Sequence, residues 1–162
     1  MANPDDAKED VPGNFLGDYQ VDAVLLESTC GAGPLTAPNI WEFEIKLSRD
    51  NRHLYWSNGA EAIRGDLASD GRTFGFTTEI ASTLREFKSG RPGCVIWRQD
   101  SINGKLELEE ESDDVPSFRG KLTYSYATGA NSFCDEVLDE SGLTQLPCVI
   151  RYEIVGSRID DE

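Results

Sequence analysis

The sequence predicts an all-β fold, an antiparallel up-and-down barrel of about eight or nine short strands with one short helix, and a β-sandwich is the alternative. Three observations carry this reading. Apolar and polar side chains alternate with a period of two along most of the chain, as half-buried strands require. Turn residues (Asn, Asp, Gly and Pro) punctuate those segments at short intervals. At 162 residues and 38% hydrophobic content, the chain supports one modest core and not two.

The first strand occupies residues 17–30, where Tyr19, Val21, Ala23 and Leu25 share one parity and Asp18, Gln20 and Asp22 the other. A Gly- and Pro-rich loop follows over 31–39. Trp41, Phe43, Ile45 and Leu47 then alternate with Glu42, Glu44 and Lys46. Asp50-Asn51 turns the chain into Leu54-Tyr55-Trp56, and Asn58-Gly59 turns it toward Ile63, Gly65 and Leu67. Asp70-Gly71 suits a type I′ hairpin before the strand of Phe74, Phe76, Thr78 and Ile80. Between 81 and 93 the period fades, so that stretch reads as a long loop with at most one helical turn near 83–87.

Asn103-Gly104 is a strong hairpin signal, and it predicts two strands over 94–102 and 105–111. Phe118, Gly120, Leu122, Tyr124 and Tyr126 form the next strand, with Gly120 placed to let it bend. Ser132 and the acidic pair Asp135-Glu136 predict a short helix that Gly142 ends. The last strand is 148–155. The barrel domain is therefore 15–157. Residues 1–14, with Asp5, Asp6, Glu9 and Asp10 between prolines, bury too little to offset ordering entropy and read as a tether. Residues 158–162 read as a frayed acidic end.

Cys30, Cys94, Cys134 and Cys148 are an even set without the close spacing of a metal or redox motif. Two disulfides are expected, and the preferred pairing is Cys134 with Cys148 and Cys30 with Cys94, one of three connectivities. Disulfides imply an oxidising compartment. The start of the chain has no basic-then-apolar signal segment, so export is expected to use a leader outside this sequence.

The formal charge of −15 repels polyanions, which excludes nucleic acid as the expected partner. No apolar run approaches the roughly 20 residues of a membrane-spanning helix. A lipid anchor beyond the sequence stays compatible with this reading, and the barrel is expected to be a monomer.

Gly17-x-Tyr19 at the head of the first strand, followed by a meander of hairpins, resembles the opening of lipocalin-type barrels, where the usual motif is Gly-x-Trp. The acidic segment before the barrel and Leu146-Pro147-Cys148 at the start of the last strand resemble small β-barrel lipoproteins of bacterial envelopes. The resemblance implies a lipocalin-like fold and a secreted, periplasmic or outer-envelope location. It implies no catalytic residue.

The residues offer little assembled chemistry. His53 is the single histidine, with no nucleophile motif to serve, and reads as an outward imidazole at a turn. Arg64-Gly65-Asp66 matches an adhesion tripeptide, but it interrupts a strand whose Gly65 reads as a packing residue. No nucleotide loop or zinc-protease motif occurs, so no cofactor is expected. Glu107, Glu109, Glu110, Glu111, Asp113 and Asp114 do not match a calcium loop and read as a solvated strand end or a surface for a basic partner.

Tyr19, Trp41, Phe43, Trp56, Phe74, Phe76 and Tyr124 fall mostly on the inner parity. There they either fill the barrel or line a site for one small apolar ligand. Ranked first on these grounds is a non-enzymatic envelope protein that presents an acidic barrel to a protein partner. A small-ligand barrel is second, and a carboxylate-dependent hydrolase third.

Overall fold

A computed structural model describes residues 12–30, 38–58, 62–86, 90, 93–108, 114–129, 132–134 and 146–159. The strands are β1 (Asn14–Ser28), β2 (Ile40–Asp50), β3 (His53–Ser57), β4 (Ala62–Leu67), β5 (Thr73–Arg85), β6 (Cys94–Glu107), β7 (Ser117–Thr128) and β8 (Cys148–Arg158). Each pairs antiparallel with its neighbours in sequence, and β8 pairs back onto β1, so the sheet closes into an eight-stranded barrel. Closure removes the sheet edges that a sandwich would keep. Among the described residues there is no helix. The helix expected over 135–142 lies outside them, as do residues 1–11 and 160–162.

The alternation in the sequence becomes the two faces of the wall. Val21, Ile45, Leu122, Ile150 and Ile154 point inward and are buried. Asp22, Arg64, Glu79, Lys121 and Glu153 are exposed on the outward parity. This is the inverse of a lipid-spanning barrel, whose outer band is apolar.

Three segments depart from expectation. β6 runs unbroken through Asn103 and Gly104, with Asn103 opposite Gly75 and Lys121, and Gly104 opposite Phe74 and Gly120. Gly104 serves close packing: a Cβ there would lie 2.8 Å from the Gly120 Cα and 2.9 Å from the Phe74 ring. Ladders on both sides outweigh the local turn preference, and the two expected strands become one. The loop expected from residue 81 is instead the second half of β5, which stays paired with β6 as far as Arg85 opposite Cys94. The hairpin at Asp70-Gly71 does form, but only Gly71 of the pair takes a positive φ, so it is not type I′. Asp70 instead caps it, accepting from the backbone N–H of Arg72 and of Thr73 at 2.8 Å each.

All four cysteines are in disulfides, but with a different pairing from the one expected: Cys30 with Cys148 and Cys94 with Cys134. The cause is barrel closure. Cys30 follows β1 and Cys148 opens β8, and the pairing of those strands extends to Thr29, whose N–H donates to the Val149 carbonyl at 2.9 Å. Cys134 is brought to Cys94 by a chain reversal in which the Phe133 N–H donates to the Gly93 carbonyl at 2.9 Å.

Both disulfides sit at the end where β1 finishes and β8 begins, here called the mouth. The opposite end, the base, is filled by Tyr19, Leu47, Leu54, Phe74, Leu106 and Phe118. Val115, from the segment between β6 and β7, is fully buried there and accepts a hydrogen bond from the Tyr19 hydroxyl. Burial pushes the Tyr19 phenol up to about 12, with Arg158 acting in the opposite direction.

Candidate functional site

The site arises from unequal strand lengths. β3 has 5 residues and β4 has 6, whereas β1 has 15 and β5 has 13. The Asn58-Gly59 turn signal comes this early, so the β3–β4 hairpin reaches only part of the way up the wall. β3 pairs with β2 only from Lys46 to Asp50, and β4 pairs with β5 only through Asp66–Gly75 and Leu67–Phe74. Toward the mouth, β2 and β5 thus have no ladder partner among the described residues on the sides that face each other. Behind this notch lies a cavity of about 250 Å³.

Of the residues predicted for a ligand site, Trp41, Phe43, Trp56, Phe76 and Tyr124 line this cavity, joined by Ile63, Thr78 and Ile102. Tyr19 and Phe74 belong to the filled base instead. The rings form a continuous series. Trp41 packs on Phe43 at 4.6 Å between centroids, Phe43 lies 6.2 Å from Trp56, and Trp56 stands 5.8 Å from Phe76. Trp56, 5% exposed, is the floor, and Trp41, 37% exposed, is the rim. Val24, Leu26, Ile40, Ile80, Trp97 and Phe133 are exposed apolar side chains at the same end of the barrel.

One ion pair lies on the inner face. Arg98 donates through Nε and Nη2 to the two carboxylate oxygens of Asp100, at 2.7 and 2.9 Å. Its guanidinium lies over the Tyr124 ring, 5.5 Å from the centroid. Asp100 lines the cavity; Arg98, two residues nearer the mouth on β6, lines a different hollow. Burial outweighs the Arg98 charge and leaves the Asp100 carboxyl above its ordinary range. Burial, then the Asp100 charge, push the Tyr124 phenol well up.

Sequence reasoning passed over this pair although the signal was present. Arg98 and Asp100 share their parity with Ile96, Ile102 and Leu106, so two opposite charges two residues apart fall on the inward face.

The residues predicted for a protein partner are described only in part. Glu107 ends β6 and accepts from Arg119 Nε at 3.1 Å and Ser117 Oγ at 3.0 Å. Asp114 is 4.0 Å from Arg158. Glu109, Glu110, Glu111 and Asp113 lie outside the described residues. Beside Glu107 is a more open outer hollow of about 690 Å³ lined by Arg72, Lys105, Arg119 and Lys121. It is larger than the inner cavity but has cations on its walls in place of an aromatic enclosure. His53 is at the base, 3.6 Å from Asp66, far along the wall from the cavity. Gly65 is a packing residue, since a Cβ there would meet the Gly75 carbonyl at 2.4 Å and the Phe76 ring at 2.5 Å.

Among the described residues no cluster of His, Cys, Asp and Glu is arranged to hold a metal ion, and no helix is long and apolar enough to cross a membrane. Comparison with protein-family models, with curated proteins and with solved structures finds no match to this chain.

Proposed function

We propose that this protein is a lipocalin-like binding barrel that holds one small, ring-sized apolar ligand behind the notch between β2 and β5. The observation that carries the reading is the cavity itself, lined by Trp41, Phe43, Trp56, Phe76 and Tyr124. Ligand sites are concave and mainly apolar, with a few placed polar groups. A volume of about 250 Å³ exceeds the roughly 150 Å³ cavity that takes benzene and falls short of one for a long acyl chain. The apolar side chains around the mouth suit the approach of such a ligand. Two disulfides at that end support an exported location, in keeping with the resemblance of Gly17-x-Tyr19 and the meander to lipocalin-type barrels. Asp100 is committed to Arg98 in a bidentate pair, which suits a fixed recognition group and not a free general acid.

The test is a thermal-shift series with benzyl alcohol, naphthalenemethanol and dodecanol on the wild type and on Thr78→Phe, which fills the cavity from β5. A bound ligand raises the melting temperature by mass action. The ring compounds should stabilise the wild type, dodecanol should not, and Thr78→Phe should abolish the effect. Equal responses of the two proteins, or none in the wild type, would overturn the reading.

A further inference from the structure

We propose, resting on the ligand-binding reading above, that the cavity selects an organic cation, an ammonium group carried on a ring-sized apolar body, with Asp100 as its counter-ion. The ionisable side chains at the cavity wall point to this charge. Glu44, Asp100 and Tyr124 line it, and neither lysine nor arginine does. Arg98 is not part of that lining, and its Nε–Nη2 edge is used up in the pair. That geometry spends one lone pair on each Asp100 oxygen and leaves the others for a donor arriving from the cavity.

The rest of the wall also favours a cation. Aromatic faces attract ammonium groups through their quadrupoles, and the attraction is larger where water is excluded. Trp41, Phe43, Trp56 and Phe76 supply such faces within one cavity. Asp100, with its side chain 20% exposed, is costly to keep charged, and an incoming ammonium would offset that cost. Over longer distances the formal charge of −15 draws cations and repels anions. An anionic ligand would face the carboxylates of Asp100 and Glu44 on the cavity wall.

The experiment is calorimetric titration with three probes of one shape and different charge: phenethylammonium, phenylethanol and phenylpropionate. The proteins are the wild type, Asp100→Asn, and the double variant Arg98→Gln/Asp100→Asn, which removes both charges so that an orphaned Arg98 cannot account for the result. In the wild type, phenethylammonium should bind at least about tenfold tighter than phenylethanol, the scale of a charged hydrogen bond with cation–π support, and phenylpropionate weakest. Both variants should lose the preference for the cation and keep the affinity for phenylethanol. If phenylethanol binds but phenethylammonium binds no tighter, or if the variants keep the preference, the inference fails while the ligand-binding reading stands. If none of the three binds the wild type, the ligand-binding reading fails and takes the inference with it. Should neither variant fold, the wild-type ranking of the three charges decides by the same criteria.

Discussion

The indole of Trp56 meets the ring of Phe118 edge-on, with centroids 5.7 Å apart and planes inclined at 67°. This contact is the partition of the barrel. Below it, Phe118 packs on Tyr19 at 5.4 Å and on Phe74 at 6.1 Å. Above it, Trp56 turns its other contacts to Phe43 and Phe76 at the cavity. One side chain thus completes the core and floors the site. Trp56→Ala should destabilise the fold by about 3–5 kcal/mol, as large buried aromatics do, and join the cavity to the base. Denaturant unfolding checks the first effect. A loss below about 1 kcal/mol would show that Trp56 is not a core residue.

The continuity of β6 predicts opposite responses at adjacent positions. Gly104→Ala should cost about 1–3 kcal/mol by overpacking against Phe74 and Gly120. Asn103→Thr should be close to neutral, because Asn103 is an exposed strand residue whose side chain donates to Ser101 Oγ at 3.0 Å. A hairpin turn at this dipeptide would give a large loss at Asn103. Equilibrium unfolding of the two variants separates the cases.

The disulfides enclose chain segments of different length, 118 residues for Cys30–Cys148 and 40 for Cys94–Cys134. In the chain-entropy picture these contribute ~5 and ~4 kcal/mol. Replacing each pair by alanine should therefore destabilise the protein in that order, read from denaturation midpoints. Non-reducing peptide mapping should recover Cys30 linked to Cys148, and a peptide joining Cys134 to Cys148 would refute the closure argument.

Asp70 gives a pH prediction. Hydrogen bonds from the Thr73 and Arg72 backbone N–H groups and the Thr73 hydroxyl hold its carboxyl at about 2, below the ordinary value of 3.8. A lowered folded-state pKa means that the ionised form favours the fold. The contribution is complete above the ordinary value and is lost as pH falls through about 2. Carbon-detected NMR titration should place the Asp70 midpoint near 2. A midpoint near the ordinary value would show that the cap does not persist in solution.

Much of the wall was legible because alternation is written locally. β2 carries Phe43, Ile45 and Leu47 inward between Glu42, Glu44 and Lys46. Features that depend on distant partners were not. Asn103-Gly104 reads the same whether glycine serves a turn or lets Gly120 approach, and only the ladders with β5 and β7 decide. The cysteine partners follow from β1 meeting β8, a contact between the two ends of the barrel sequence. For the site, parity marked the inward aromatics but not their height in the barrel. Height separates Phe74, at the base, from Phe76, at the cavity. Asp100 was missed because the expected strand over 94–102 rested on the Asn103-Gly104 signal, with no face assigned to Arg98 or Asp100.

The central claim is that Trp41 and Trp56 line the ligand cavity, while Trp97, 44% exposed, lines a separate hollow with Gln99, Ser125 and Val149. The three indole N–H groups of the chain give three separate signals in a nitrogen-15 correlation spectrum, so titration with phenethylammonium reads the site directly. The account predicts saturable shifts of the Trp41 and Trp56 signals with a common dissociation constant and a stationary Trp97 signal. Shifts confined to Trp97, or no saturable shift at Trp41 and Trp56, would contradict it.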